Sequence, residues 1–122
     1  MVKPSWAAAP PDWQVKQGSS EMLPKETGWS ASRLPGGFQK IMEGYRTLRG
    51  RREPVAHLVY SDGLVAISVF VEPLALPPVQ TGLSQQAGLN VYTTKSEDHL
   101  VTVLGEAPPA SIRQIAQSVA KR

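Results

Sequence analysis

Hydrophobic and polar positions alternate most cleanly over residues 55–71, where two apolar, β-branched runs flank the pair Asp62-Gly63. That pattern predicts a β-hairpin. A two-residue turn of type I′ needs positive φ at both central positions, which Asp tolerates and Gly adopts without steric cost. The register then follows, with Ser61 facing Leu64, Tyr60 facing Val65, Leu58 facing Ile67 and His57 facing Ser68. Alternation places Ala56, Leu58, Tyr60, Val65, Ile67 and Val69 on one face, which reads as core. The opposite face collects Val55, His57, Val59, Ser61, Leu64, Ala66, Ser68 and Phe70. It is mixed in character and suited to partial cover by another element or a partner.

Outside the hairpin the periods are weaker. Residues 38–48 alternate loosely as a first strand, in which Gly44 marks a bulge or a close approach of backbone. Glu72-Pro73 ends the hairpin's second strand, because proline cannot donate to a ladder. Residues 74–88, rich in Pro, Gln, Ser and Gly, read as a long loop. Residues 89–94 and 100–105 alternate as fourth and fifth strands around the polar connection 95–99. Ile112, Ile115, Ala116 and Val119 then recur at helical spacing, with Arg113, Gln114, Gln117 and Ser118 turned outward. Ser111 with Gln114 has the spacing of a capping box, and Lys121-Arg122 set positive charge at the negative end of the helix dipole. The expected fold is α+β: an antiparallel β-sheet of about five strands with one C-terminal α-helix packed on one face, seated on the apolar side of the central hairpin.

The first thirty-three residues show no sustained period and scatter Trp6, Trp13 and Trp29 among Pro, Gly and Ser. They read as a linker or partly disordered segment, 1–33, ahead of a domain at 34–122. Within the segment, Trp13-Gln14-Val15-Lys16 is a candidate edge strand and Gly28-Trp29-Ser30 a candidate anchor onto the domain.

Composition narrows the chemistry. A chain of 122 residues with 41% hydrophobic and 19% charged residues is an ordinary globular balance. The net charge of +3 is mildly basic and falls short of a nucleic-acid footprint. Cysteine is absent, which excludes thiol catalysis, disulfides and Cys-based zinc sites. Met1-Val2-Lys3-Pro4-Ser5-Trp6 lacks the basic-then-apolar order of a secretory signal.

Candidate chemistry is sparse. His57 and His99 are the only histidines, and dispersed carboxylates offer no metal-ligand spacing. A Ser-His-Asp reading of His57, Ser61 and Asp62 fails, because four residues of strand separate His57 from Ser61 by roughly 13 Å at about 3.3 Å per residue. His57 and Ser68 pair across the expected hairpin without a third group to make a catalytic relay. The glycines form no phosphate loop, so neither a cofactor nor a nucleotide is expected. What remains is the basic connection Arg46, Arg49, Arg51 and Arg52, whose guanidinium groups suit carboxylates or phosphates. Together with His57, Ser61 and Phe70 on the mixed hairpin face, these are the candidate partner-binding residues.

Leu34-Pro35-Gly36-Gly37-Phe38, the run from Val55 through Tyr60-Ser61-Asp62-Gly63-Leu64 and Ser68-Val69-Phe70 to Glu72, and Val101-Thr102-Val103-Leu104-Gly105-Glu106-Ala107-Pro108 resemble the C-terminal domain of the MucB/RseB family. These are negative regulators of the bacterial envelope-stress sigma factor, and the resemblance covers residues 29–120. It implies a non-enzymatic, periplasmic domain that follows a large lipoprotein-carrier-like N-terminal domain in a longer secreted precursor. The implied partners are the periplasmic domain of a membrane anti-sigma factor and that carrier-like domain. The alternative reading is a lipid or lipopolysaccharide-binding module, with the four arginines on phosphates and the 74–88 loop on acyl chains.

Overall fold

The computed structural model describes residues 22–47, 53–74 and 81–121. Among these residues, nine strands and one helix follow in the order β1 (Leu23–Pro24), β2 (Trp29–Ala31), β3 (Gln39–Arg46), β4 (Val55–Ser61), β5 (Ala66–Pro73), β6 (Gly82–Gln86), β7 (Leu89–Ser96), β8 (His99–Gly105), α1 (Pro109–Ser118) and β9 (Val119–Lys121). The main sheet has seven strands in the order β1-β3-β4-β5-β8-β7-β6, all antiparallel neighbours, and β2 pairs with β9 in a second, two-stranded sheet. The α+β antiparallel architecture is as expected, but the count of about five strands is too low.

The central hairpin forms with a different register. Ser61 pairs with Ala66, Tyr60 with Ile67, Leu58 with Val69 and His57 with Phe70, so Asp62, Gly63, Leu64 and Val65 all belong to the loop. Side chains set the longer loop. The Asp62 carboxylate accepts from the backbone N–H of Leu64 and of Val65, both at 2.9 Å. The Ser61 hydroxyl accepts from Gly63 N–H at 3.0 Å and donates to the Val65 carbonyl at 2.8 Å. Gly63 takes the expected positive φ, +96°. Because the slip is an even number of residues, the faces survive it. Leu58, Tyr60, Ile67 and Val69 still share a buried face, while His57 now stands opposite Phe70 and Ser68 opposite Val59.

Three further expectations change. Residues 23–24 and 29–31, inside the stretch read as linker, form β1 and β2; pieces so short carry no detectable period. The candidate strand at 13–16 lies outside the described residues. The 74–88 loop contains β6, a polar, exposed edge strand joined to β7 through Ala87-Gly88, both at positive φ. Finally, the helix begins one turn earlier than Ser111 implies, with Pro108 at the N-cap, Pro109 in the first turn and no side-chain cap. Proline suits that position because the N–H it lacks would have no partner there. At its far end the helix stops at Ser118 and the chain turns extended, so Lys121 sits in β9 rather than against the helix dipole.

The core lies between the main sheet and a second layer made of α1 and the β2–β9 pair. Ile112, Ile115, Ala116 and Val119 are buried against Val101, Val103, Leu58, Tyr60 and Val69. Each large aliphatic side chain so buried contributes about 1.5–3 kcal/mol. The helix leans on β7 and β8 more than on the hairpin expected to seat it. The hairpin is instead tied to the small sheet, where the Tyr60 hydroxyl accepts from Ala31 N–H at 2.9 Å. Trp29 meets His99 edge to face, with ring centroids 4.8 Å apart. Gly44 is a close approach rather than the bulge, which falls between Lys40 and Met42: a Cβ at Gly44 would collide with the Leu23 carbonyl oxygen.

Candidate functional site

The opposite face of the hairpin gathers three of the candidate partner-binding residues across three neighbouring strands. Arg46 ends β3 opposite Val55, His57 lies one step along β4, and Phe70 faces His57 from β5. The Arg46 Nε–H donates to His57 Nδ1 at 2.9 Å. On its other side the imidazole stacks on Phe70, with centroids 4.2 Å apart and planes 15° from parallel. Cross-strand pairing sets the two rings side by side on the same face, near enough to stack.

The charge state follows from burial. His57 is 2% exposed, and desolvation together with the Arg46 charge pushes its pKa down to about 3, so the ring is neutral. With Nδ1 accepting from Arg46, the neutral ring carries its proton on Nε2, which is buried and has no acceptor among the described residues. Burial also lowers the Arg46 pKa. The imidazole lone pair is thus occupied in holding a guanidinium, which is the opposite of what a general base needs. Ser68, expected to pair with His57, stands opposite Val59 instead.

The remaining candidates separate. Ser61 sits at the turn, its hydroxyl spent on Gly63 and Val65. Arg49, Arg51 and Arg52 lie outside the described residues. Phe70 is buried like His57, so of the gathered trio Arg46, half-buried, is the one that reaches the surface. Among the described residues no three His, Cys, Asp or Glu side chains come together as a metal site. Arg33 and Arg113, which the sequence reading did not bring together, meet on the helix-bearing side in a groove with Gln114 and Gln117. No local pattern pairs residues so far apart along the chain.

On the other side of β3, Glu43 accepts from both Thr27 N–H and Thr27 Oγ1–H at 2.8 Å and pairs with Lys40 at 2.8 Å. Burial, the largest influence, pushes the Glu43 carboxyl up, but the hydrogen bonds from Lys40 and Thr27 outweigh it and the pKa is lowered. The role is structural, tying the segment before β2 to the sheet.

Comparison with known proteins gives a family. Residues 23–120 match the MucB/RseB C-terminal domain. The sigma factor AlgU regulatory protein MucB of Pseudomonas aeruginosa is 32% identical over 124 residues, covering 92% of this chain and 39% of that protein. The sigma-E factor regulatory protein RseB of Escherichia coli K12 is 30% identical over 93 residues, covering 75% and 29%. Among solved structures, MucB in complex with MucA(peri) superposes with a TM-score of 0.67 at 32% identity, over 79% of this chain and 37% of that one. The Pseudomonas aeruginosa MucA/MucB complex gives 0.68 at 31% identity, over 94% and 42%. The chain therefore spans well under half the length of these proteins.

Proposed function

Since the chain belongs to the MucB/RseB C-terminal domain family, we propose that it is a non-enzymatic regulatory domain that helps hold the periplasmic part of a membrane anti-sigma factor and so restrains the envelope-stress sigma response. The observation that carries this reading is the match of nearly the whole chain to MucB as it stands bound to MucA. The location it implies is the periplasm, and a carrier-like N-terminal domain is the second implied partner. The site chemistry agrees with binding rather than turnover, because His57 is neutral, buried and engaged with Arg46.

In this reading Arg46 is the contact group of the hairpin surface, and His57 and Phe70 hold it from behind. Its planar guanidinium, held at Nε by His57, is of the kind that recognises carboxylates. The lipid alternative drew on Arg46, Arg49, Arg51, Arg52 and the 74–88 loop; of these arginines only Arg46 lies among the described residues, and β6 takes up residues 82–86 of the loop. The test is isothermal titration of the chain with the periplasmic segment of a MucA-type anti-sigma factor. Saturable heat at micromolar concentration is expected, weakened about tenfold by Arg46→Glu, measured below the variant's melting temperature because the change also removes the Nε–H that His57 accepts. No heat at high micromolar concentration would overturn the proposal.

A further inference from the structure

On the helix-bearing side of the sheet, opposite the Arg46–His57–Phe70 stack, a groove of about 700 Å³ runs between α1 and the β2–β9 pair. That volume lies within the roughly 300–1,000 Å³ of ligand-binding clefts. It is lined by small residues, Ser32 and Ala120 among them, and by Arg33, Arg113, Gln114 and Gln117, all exposed.

The charge of the groove is one-sided. Neither α1 nor β2 nor β9 contains an acidic residue. Among the described residues the guanidinium groups of Arg33 and Arg113 have no carboxylate partner, the one ion pair being Lys40 with Glu43. The groove also lacks a bed for acyl chains. Among the described residues no aromatic, Leu or Ile side chain lines it, and Val119, its largest apolar contributor among them, is buried.

The glutamines distinguish the remaining anions. A primary amide both donates and accepts, so Gln114 and Gln117, one helical turn apart, match the N–H and C=O groups of an extended backbone. A fully ionised phosphate offers only acceptors and would engage only the NH2 half of each exposed amide, leaving the oxygens to water. We propose that this groove binds an acidic, extended polypeptide segment, its carboxylates on Arg33 and Arg113 and its backbone on Gln114 and Gln117. This surface is separate from the hairpin face and does not rest on the anti-sigma reading.

The test uses the whole 122-residue chain, isotopically labelled for amide NMR, titrated with an acetylated, amidated hexaglutamate peptide. Hexaglutamine and vesicles of mixed phosphatidylglycerol and phosphatidylcholine serve as the comparisons. Hexaglutamate is expected to shift the amides of Arg33, Arg113, Gln114 and Gln117, and added salt to weaken it. Arg33→Glu with Arg113→Glu is expected to weaken binding about tenfold or more, with Arg33→Gln and Arg113→Gln as the milder pair should the reversal disturb folding. Shifts confined to other regions, equal binding of hexaglutamine, vesicle binding at these amides without peptide binding, or affinity unchanged in the double variants would each overturn the proposal.

Discussion

At the scale of single residues, backbone conformation and burial decide more than side-chain reactivity. Gly63 sits at φ +96° with open space where a Cβ would go. Gly63→Val therefore meets no neighbour, and its cost is the left-handed backbone, about 1–2 kcal/mol. A lower melting temperature with an unchanged partner affinity is the expected outcome, and equal melting temperatures would contradict it. His57 makes a different kind of statement. Its native pKa is depressed to about 3, against about 6.5 in an unfolded chain. Between those values the unfolded state binds a proton that the native state refuses. Stability is then fully present above about pH 6.5 and is lost as pH falls, with a slope of at most about 1.4 kcal/mol per pH unit. Denaturation midpoints between pH 5 and 7 should show that slope in the parent chain. His57→Gln, which keeps an acceptor for Arg46 but cannot titrate, should flatten it.

At the scale of elements, the hairpin β6–β7 shows what a pattern of hydrophobic positions can miss. Gly82, Leu83, Ser84, Gln85 and Gln86 contain no β-branched residue, and Leu83 is 52% exposed, so the edge strand buries nothing that would print a period of two. Its turn is equally silent, since Ala87 takes φ 51° where Asn or Gly is the usual choice. Ala87→Asn is expected to stabilise the protein by about 0.5–1 kcal/mol, because the side chain is exposed and only the left-handed penalty changes. A denaturant midpoint that does not rise would show that the turn relaxes in solution. The legible elements are those with two-sided constraint: β4 and β5, buried on both faces, and α1, whose Ile112, Ile115 and Ala116 stripe is buried as read. Even there the even-numbered register slip was invisible, because it arises from Ser61 and Asp62 side chains bonding within the loop. Of the candidate site, the stacking of His57 on Phe70 depended on that register, while Arg46 reaches His57 through the separate β3–β4 pairing.

At the scale of the whole molecule, the two-stranded sheet closes the domain. β2 near the start pairs with β9 at the end, Trp29 opposite Lys121 and Ala31 opposite Val119. This sheet is fastened at its outer edges by side chains, with Tyr60 accepting from Ala31 N–H and Ser96 donating to the Val119 carbonyl at 3.1 Å. Trp29 is 4% exposed, pairs with Lys121 and lies on His99 at the β7–β8 turn, so one residue joins the β2–β9 sheet to the far hairpin. Trp29→Ala is expected to cost about 3–5 kcal/mol, a large part of the roughly 5–15 kcal/mol that holds a domain folded. Removing residues 119–122 takes away the partner strand and the buried Val119, and should destabilise the chain by a similar mechanism. If β2 and β9 act as one closure, the two changes combined will cost less than their sum, because the second removes contacts the first has already loosened. Urea denaturation of the parent, both single changes and the combination measures that difference. Strict additivity would mean that Trp29 and β9 stabilise the domain independently, without acting as one closure.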